Sequence, residues 1–442
     1  MFRSLTAHYN FRVWIAGLII SNLGVWMQRT AQDWIVLTEL TDHNATAVGL
    51  TTALQFAPQL VLVAITGSIA DRFDKRKILA ITQSIMAVLA VVLTVLTVLG
   101  MLELWMMFAL SLGLGIATAF DIPARQAFVV EIVSKDNLTN AISLNSAGFN
   151  LARLVGPGLA GVLVGVIGSG PVFALNAASF LAVLISLIAI RTRELRTIER
   201  RDEGKDKFRQ GLRYLRTRPD IVVSMVAMFI FGAFGLQTPI IIATMTSVEF
   251  GLEAEVFGVL GSLVALGSLI GALIVARFQT VRLSIFIAAG LFICAANVAA
   301  ALAPTVWAYG IVLVFGGIGT MTLIASAGAY VQSSVDEAYL GRVMAIHAAL
   351  FIGATPIGAP VVGGITDAFG PRIGSLVTAG AGLAVAILIA VWLLVASGAR
   401  LQRHPDRRFR LRVVRPERYS EGAAEEIATA EIALGEAETR RL

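Results

Sequence analysis

Three ionisable side chains lie inside long apolar stretches of this sequence, where a charged group needs a specific reason. Arg29 and Asp33 are four residues apart, which places them on one face of a helix. Ser146, Asn150 and Arg153 recur at helical spacing and form a second polar face. A carboxyl group can carry a proton and a guanidinium can bind an anion. Charges at membrane depth usually face a cavity and mark substrate or proton pathways.

Each of these residues also has a structural interpretation. Arg29 and Asp33 fit an interfacial ion pair that anchors a helix end, and Arg153 fits a buried pair with Asp33 or another acid. Amide side chains inside helices more often form helix–helix hydrogen bonds than ligand contacts. That group comprises Gln55, Gln59, Gln237 and Asn297. We take Arg153, Asn150, Arg29 and Gln237 as candidate substrate-cavity residues and Asp33 as the candidate proton carrier.

A Gly156-Pro157-Gly158 run directly follows the second polar face. Proline removes one backbone hydrogen bond and glycine allows close packing, so the sequence predicts a helix bend at Gly156 and Pro157.

The composition indicates a membrane protein. The chain has 442 residues, of which 57% are hydrophobic and 14% charged. Stretches of about 20 apolar residues predict membrane-spanning helices. The predicted spans are 13–37, 46–70, 78–100, 104–122, 140–167, 171–190, 221–245, 256–277, 282–302, 306–331, 341–366 and 373–397.

Charged loops orient these spans. All Lys and Arg except Arg29, Arg153 and Arg372 fall at the termini or in alternate loops, which the positive-inside rule assigns to the cytoplasm. The opposite loops carry acidic residues. The sequence therefore predicts a multi-pass protein of the inner cell membrane with both termini cytoplasmic.

The two halves of the chain resemble each other weakly. Residues 140–161 and 342–363 align with matching Phe149/Phe351 and Gly156/Gly358, each in the fifth helix of its half. An inverted or parallel six-helix repeat is typical of transporters. We predict a six-helix bundle over 1–190, a cytoplasmic linker with an amphipathic helix over 191–220, a second bundle over 221–397 and a cytoplasmic tail over 398–442. The basic residues of linker and tail predict contact with anionic lipid.

Several function classes are excluded by what the sequence lacks. It has no His-Glu-x-x-His, no Gly-x-Ser-x-Gly, no phosphate-binding loop and no Cys/His cluster. We therefore predict neither an enzyme nor a primary pump, and expect no metal and no cofactor. The first apolar segment is too polar for a signal peptide. A channel is the less favoured alternative, because the chain contains its own repeat.

One loop carries a specific pattern. Gly67 to Lys77 reads GSIADRFDKRK, with Asp71, Arg72 and Lys75 among its charges, where the second span meets the cytoplasm. Asp71 would lie within reach of the start of the eleventh helix, and a helix N-terminus favours a nearby anion by about 0.3–1 kcal/mol. Gly67 would let a helix approach, and Lys75 could pair with Asp121. A plain positive-inside turn is the alternative interpretation.

This loop resembles the signature G-x-x-x-D-R-x-G-R-[KR]-[KR] of the major facilitator superfamily, with Asp74 at the usual second glycine. The resemblance implies an all-α integral membrane fold of twelve helices in two six-helix bundles. It also implies that Gly67, Asp71, Arg72, Lys75 and Asp121 form a conformational latch that holds the outward-facing state.

Further segments narrow the resemblance. Residues 21–28, 123–131 and 140–145 resemble the branch that contains the enterobactin exporter and macrolide-efflux-like proteins. The resemblance implies proton-coupled export of a small amphipathic drug, macrolide or siderophore by alternating access, in a monomer. The basic residue common in the fourth helix of drug–proton antiporters is missing. Uptake or facilitated diffusion by the same fold remains the alternative, and no nucleic-acid partner is expected.

Overall fold

The computed structural model describes residues 3–196, 207–277, 282–396, 400–403 and 411–414. The first half contains α1 (Arg3–Ala7), α2 (Tyr9–Thr38), α3 (Ala45–Val61), α4 (Val63–Arg72), α5 (Lys75–Val98), α6 (Leu104–Ile132), α7 (Leu138–Ile167) and α8 (Ser169–Ala189). The second half contains α9 (Lys207–Leu215), α10 (Pro219–Ile230), α11 (Thr238–Thr244), α12 (Ala254–Val275), α13 (Leu283–Ala301), α14 (Val306–Ser334), α15 (Glu337–Phe369) and α16 (Pro371–Ala396). Two short strands follow, β1 (Arg400–Arg403) and β2 (Leu411–Val414).

The helices confirm an all-α membrane fold. Within the described residues, 10 helical segments are long and apolar enough to cross a membrane. The 30-residue helix α2 is long enough, and its polar residues explain why it falls outside that group. The second predicted span is present as α3 followed by α4. When α2 and the α3–α4 segment are added to those 10 segments, each span predicted from the sequence has a helical counterpart.

Two predicted spans are not single continuous α-helices. The second is interrupted at Leu62, where the N–H of Leu62 still donates to the carbonyl oxygen of Pro58. The seventh span consists of α10 and α11 joined and followed by single π-helical turns, Phe231–Gly235 and Met245–Glu249. Such turns are rare and concentrate at functional positions.

Small residues bring the two halves of the chain together. Helix α3 packs along α15, and α7 packs along α12. A Cβ on Gly363 would lie 2.5 Å from the carbonyl oxygen of Ala45, and one on Gly161 would lie 2.6 Å from that of Ala254. Helices can approach this closely only where side chains are absent. These two contacts therefore fix how the halves meet.

The predicted linker helix is present as α9. Its last residue, Leu215, is buried in an apolar cluster with α10, α14 and α15. Tyr214 stacks on Tyr339 with 4.5 Å between ring centroids. Arg218 donates hydrogen bonds to Asp220, which raise the pKa of the guanidinium. The linker helix is thus attached to the second half of the chain.

Contacts divide the chain into residues 1–386 and 387–442. The second unit contains the last turns of α16 and the antiparallel pair of β1 with β2, in which Arg400 lies opposite Val414. Two short segments of the predicted basic tail thus pair as antiparallel strands. The predicted acidic segment, 420–438, lies outside the described residues.

Candidate transport site

Arg153 lies on α7 and reaches across to the second half of the chain. Its Nη2 donates a 3.3 Å hydrogen bond to Oγ of Ser268 on α12. Its guanidinium carbon is 5.9 Å from the ring centroid of Trp26 on α2. No ion pair of Arg153 with an acid occurs among the described residues. The alternative interpretation of Arg153 as half of a buried ion pair is therefore wrong for this structure.

Arg29 faces the same tryptophan from within α2. Its guanidinium carbon lies 5.3 Å from the ring centroid of Trp26 and 5.1 Å from that of Phe56 on α3. Its Nε is buried and has no hydrogen-bond partner in the described part of the chain. Cations over aromatic faces are held by the ring quadrupole, which leaves their N–H donors available.

Asp33 lies one helical turn beyond Arg29. The two side chains share a face of α2, yet they form no ion pair within 4.0 Å in the residues that the structure describes. The predicted alternative of an anchoring Arg29–Asp33 pair is thus not realised here. Asp33 remains a carboxyl group one turn from a guanidinium, within electrostatic reach.

The Gly156-Pro157-Gly158 run positions α7 between two neighbours. A Cβ on Gly156 would lie 2.6 Å from Cβ of Trp26, and one on Gly158 would lie 2.7 Å from Oγ of Ser262 on α12. Helix α7 continues without interruption through Pro157. The run therefore lets α7 pack closely on both α2 and α12, and this packing brings Arg153 beside Trp26.

The other predicted cavity residues are placed differently. Asn150 is partly exposed and donates to the carbonyl oxygen of Ser146 at 2.9 Å, within its own helix. Gln237 is buried and donates to the carbonyl oxygens of Gly232 and Ala233, beside the π-helical turn. Its place in the substrate cavity stays a prediction.

A buried amide network crosses the first half. Gln55 donates to Gln32 at 3.0 Å, and Gln32 donates to Ser111 at 2.7 Å, joining α3, α2 and α6. Asn176 on α8 donates to Gln28 at 2.5 Å. The sequence indicated Gln55 as a helix–helix contact. Gln28 and Gln32 follow each other at i, i+4 on α2, a spacing that would have placed both on one inward face.

The predicted latch is only partly assembled. Lys75 at the start of α5 forms a 3.1 Å ion pair with Glu131 on α6, so the predicted Lys75–Asp121 pair is absent. No described residue from elsewhere lies within 4 Å of a Cβ placed on Gly67, so the predicted close helix approach at that glycine does not occur here. Arg72 ends α4. Asp71 lies on α4, and its side chain is outside the described residues.

Asp121 has a different role in this structure. It is buried and accepts hydrogen bonds from Thr82 at 2.9 Å, Gln83 at 2.8 Å and Nε of Arg125 at 2.9 Å. Arg125 in turn donates to Asn22 on α2 at 3.4 Å. Asp121 therefore joins α2, α5 and α6 inside the first half and does not bridge to Lys75.

The halves are joined at the end where α3 begins. Asp367, near the end of α15, accepts hydrogen bonds from the backbone N–H groups of Ala45 at 2.6 Å and Thr46 at 2.8 Å. Its carboxylate also accepts from Oγ1 of Thr46 at 2.5 Å. An anion at a helix N-terminus satisfies N–H groups that have no helical partner. Asp367 thus caps α3 from the opposite half.

Further polar contacts lie at this closed end. Glu39 accepts a hydrogen bond from Ser169 at 3.4 Å, and burial raises the pKa of its carboxyl group while that bond opposes the shift. Arg372 pairs with Glu249 at 2.8 Å. At the other end, no described residue from elsewhere lies within 4 Å of a Cβ placed on Gly341 at the start of α15. The described contacts therefore join the two halves at the Asp367 end, and no such contact is found at Gly341.

Membrane-spanning helices in two halves, a polar cluster where the halves meet and closure at one end define a membrane transporter of the major facilitator fold. The chain belongs to the transmembrane secretion effector family of that class, whose family model matches residues 4–418. Members of this class are transporters and not enzymes.

Named relatives agree with this assignment. The chain is 27% identical over 268 residues to the staphyloferrin A transporter of Staphylococcus aureus, a match that covers 58% of this chain and 64% of that protein. It therefore spans slightly less than two thirds of that relative. It is 23% identical over 399 residues to the enterobactin exporter EntS of Citrobacter koseri, covering 88% and 93% of the two chains.

Solved structures support the fold. A bacterial homologue of the human lysosomal transporter Spinster, in an inward-facing and unoccupied conformation, matches with a TM-score of 0.66 at 15% identity. The match covers 87% of this chain and 95% of that one. The nucleoside transporter NupG matches with a TM-score of 0.68 at 13% identity, covering 86% and 99%.

Proposed function

We propose that this protein exports a small amphipathic organic molecule from the cytoplasm by alternating access. One observation carries the proposal: Arg29 and Arg153 both lie beside the ring of Trp26 where the two halves meet, and Asp367 joins the halves at one end. A central site reached from one side at a time is what alternating access requires.

The positive loops orient this cycle. With both termini in the cytoplasm of an inner-membrane protein, the end closed by Asp367 faces outward and the end near Gly67 faces the cytoplasm. The structure then corresponds to an inward-open state, in which a cytoplasmic molecule can reach Arg153. Loading from the cytoplasm is the first step of export.

The substrate class is proposed from the relatives. The staphyloferrin A transporter and the enterobactin exporter are siderophore transporters, so a siderophore is the leading substrate. Trp26, Phe56 and Phe149 give the site an aromatic lining that also suits an amphipathic drug or macrolide.

Asp33 is the proposed proton carrier. It has no ion-pair partner within the described residues, so it is not locked by Arg29. It lies toward the closed, outward end of α2, where a proton from outside would arrive when the halves open there. Proton entry would then drive the return of the carrier.

Anionic lipid is the proposed partner besides the substrate and the proton. The basic linker and tail contact anionic headgroups of the inner leaflet, and each basic residue near the surface contributes about 1 kcal/mol of attraction. The protein acts as a monomer, because both halves of the repeat lie in one chain.

The test is transport in inverted membrane vesicles. Siderophores, macrolides and amphipathic dyes are supplied outside such vesicles, which expose the cytoplasmic face, under an imposed pH gradient. We expect saturable, gradient-dependent accumulation that Arg153→Ala weakens through lower affinity. Equal flux in both directions without a gradient would indicate facilitated diffusion, and ionic current without saturation would indicate a channel.

A further inference from the structure

The central site has an uncompensated positive charge. Arg29 has Asp33 one turn away to offset its charge, whereas Arg153 has no acidic partner among the described residues. Arginine stays protonated in proteins, so Arg153 cannot lose its charge to relieve the cost. A charge kept at membrane depth without a partner in the protein requires compensation from elsewhere.

The hydrogen-bonding capacity of the two arginines is also largely unused. A guanidinium has five N–H donors. Arg153 donates one described bond, the 3.3 Å contact with Ser268, and Nε of Arg29 is buried without a partner. Arg153 is partly exposed, and its remaining donors are available to a ligand. A ligand that also accepts from Nε of Arg29 would satisfy a buried donor that is costly to leave without a partner.

The geometry adds a planar surface to these charges. Both guanidinium carbons lie near one ring, at 5.3 Å and 5.9 Å from the centroid of Trp26. Phe149 meets Trp26 edge-to-face at 5.8 Å between centroids, and Phe56 lies against Arg29. Two forked donors beside aromatic walls suit an acidic group attached to a flat, apolar body.

We propose that this site takes an organic anion, one acidic group of which binds Arg153 while its planar part lies in the aromatic lining around Trp26. The proposal rests on the proposed transport function but not on its proton coupling. It assigns Arg153 the role of selecting for charge, which separates anions from neutral or cationic amphipathic molecules of the same shape.

The test uses three probes of one shape and different charge. Equilibrium binding of 2-naphthoate, its neutral amide 2-naphthamide and the cation 2-naphthylmethylammonium is measured on the purified full-length protein. We expect the carboxylate to bind about tenfold more tightly than the amide, because charge-assisted bonds to Arg are lost in the amide. The cation should bind most weakly.

Two variants test whether Arg153 causes the preference for the carboxylate. Arg153→Gln should remove the advantage of the carboxylate and leave amide affinity unchanged, and Arg153→Lys should keep part of it. Arg12→Gln, at an exposed arginine over Tyr9 outside the site, is the matched control and should behave as wild type. If Arg153→Gln does not fold, the comparison of Arg153→Lys with wild type carries the test.

Several results would overturn the anion proposal. They are equal wild-type affinity for carboxylate and amide, no carboxylate binding up to the solubility limit, or an unchanged carboxylate preference in Arg153→Gln. Flux measured in proteoliposomes distinguishes a failure of the anion proposal from a failure of the transport proposal. Carboxylate binding without saturable flux would reject transport alone, whereas flux of amide and carboxylate at equal affinity would reject the anion site alone.

Discussion

Asp33 is the carboxyl group on which the proposed proton coupling depends. We expect Asp33→Asn to abolish gradient-driven accumulation in inverted vesicles while substrate binding persists, since the amide has similar size but cannot exchange a proton. Asp42→Asn, at an exposed acid beyond the same helix, is the matched control and should transport normally. Accumulation against a gradient by Asp33→Asn would show that another group or ion provides the coupling.

Asp121 offers a prediction about stability. Its carboxylate accepts from three side chains, and its removal leaves Arg125 with only the 3.4 Å bond to Asn22. We expect Asp121→Ala to destabilise the protein by about 2–3 kcal/mol, since the buried donors Thr82 and Gln83 lose their acceptor. Thermal melting in detergent measures the change. Glu194→Ala breaks an exposed pair with Arg191 and should cost less than about 1 kcal/mol. Similar melting of the two variants would contradict this role.

For individual residues, the sequence predicted which ionisable side chains lie inside the membrane-spanning helices but not which residues they contact. The spacing of Arg29 and Asp33 placed both on one face of α2. No sequence pattern indicated that Arg29 and Arg153 would both lie beside Trp26, because that arrangement depends on the close packing of α7 against α2 at Gly156. Likewise, Lys75 pairs with Glu131 because both lie where α5 and α6 meet, which only the packing determines.

Among the helices, the cap of α3 by Asp367 joins the two halves at the end that we propose faces outward. We expect Asp367→Asn to shift the equilibrium toward the outward-open state by about 1–2 kcal/mol, or roughly 5–30-fold, since an anionic cap is lost. The measurement is labelling of Ser262→Cys by an impermeant maleimide from outside, in a Cys294→Ser background. The labelling rate should rise. An unchanged rate would mean that the cap does not control opening.

The motif at Gly67–Lys77 lies at the opposite end of the molecule from Asp367, and a substitution there should shift the equilibrium away from the outward-open state. If Asp71 stabilises the outward-facing state, Asp71→Asn should lower outside labelling of the same cysteine and reduce transport while expression persists. The expected shift is about 1–2 kcal/mol. Wild-type labelling and flux would leave the loop with only a topological role.

Helix positions followed from apolar length, but helix breaks did not. The interruption at Leu62 was not predicted, since the second span reads as one apolar stretch over 46–70. The π-helical turn beside Gln237 could not be predicted from the sequence. Over a single turn, the apolar pattern does not distinguish a helix with i→i+5 hydrogen bonds from one with i→i+4 hydrogen bonds. The sequence therefore did not indicate that the amide of Gln237 donates to backbone carbonyl oxygens, and its role in the cavity stays a prediction.

For the whole molecule, the orientation in the membrane is directly testable. In a Cys294→Ser background, we expect Met101→Cys to react with an impermeant maleimide from outside. Lys205→Cys should react only after the membrane is permeabilised, because the positive-inside rule places the linker in the cytoplasm. The reverse pattern would invert the topology, and the closed end at Asp367 would then face the cytoplasm.

The overall architecture was the part most accessible from sequence, since the bilayer fixes helix length and the basic loops fix alternation. The contact between halves was accessible only in outline. Matching glycines such as Gly161 and Gly363 marked the fifth helix of each half. Their actual neighbours, Ala254 and Ala45, belong to the second helix of the opposite half, a pairing that the weak repeat does not specify.

The unpaired Arg153 has a consequence for how membrane voltage acts on the molecule. With Asp33 ionised beside Arg29, the site that holds a monovalent anion on Arg153 is neutral overall, whereas the returning empty site, with Asp33 protonated, carries the positive charges of Arg29 and Arg153. Switching the empty site from outside to inside access moves those charges toward the negative side of an energised membrane. A full charge crossing 100 mV gains about 2.3 kcal/mol. The return of the empty carrier would then be driven by voltage, while the loaded step would respond little to it.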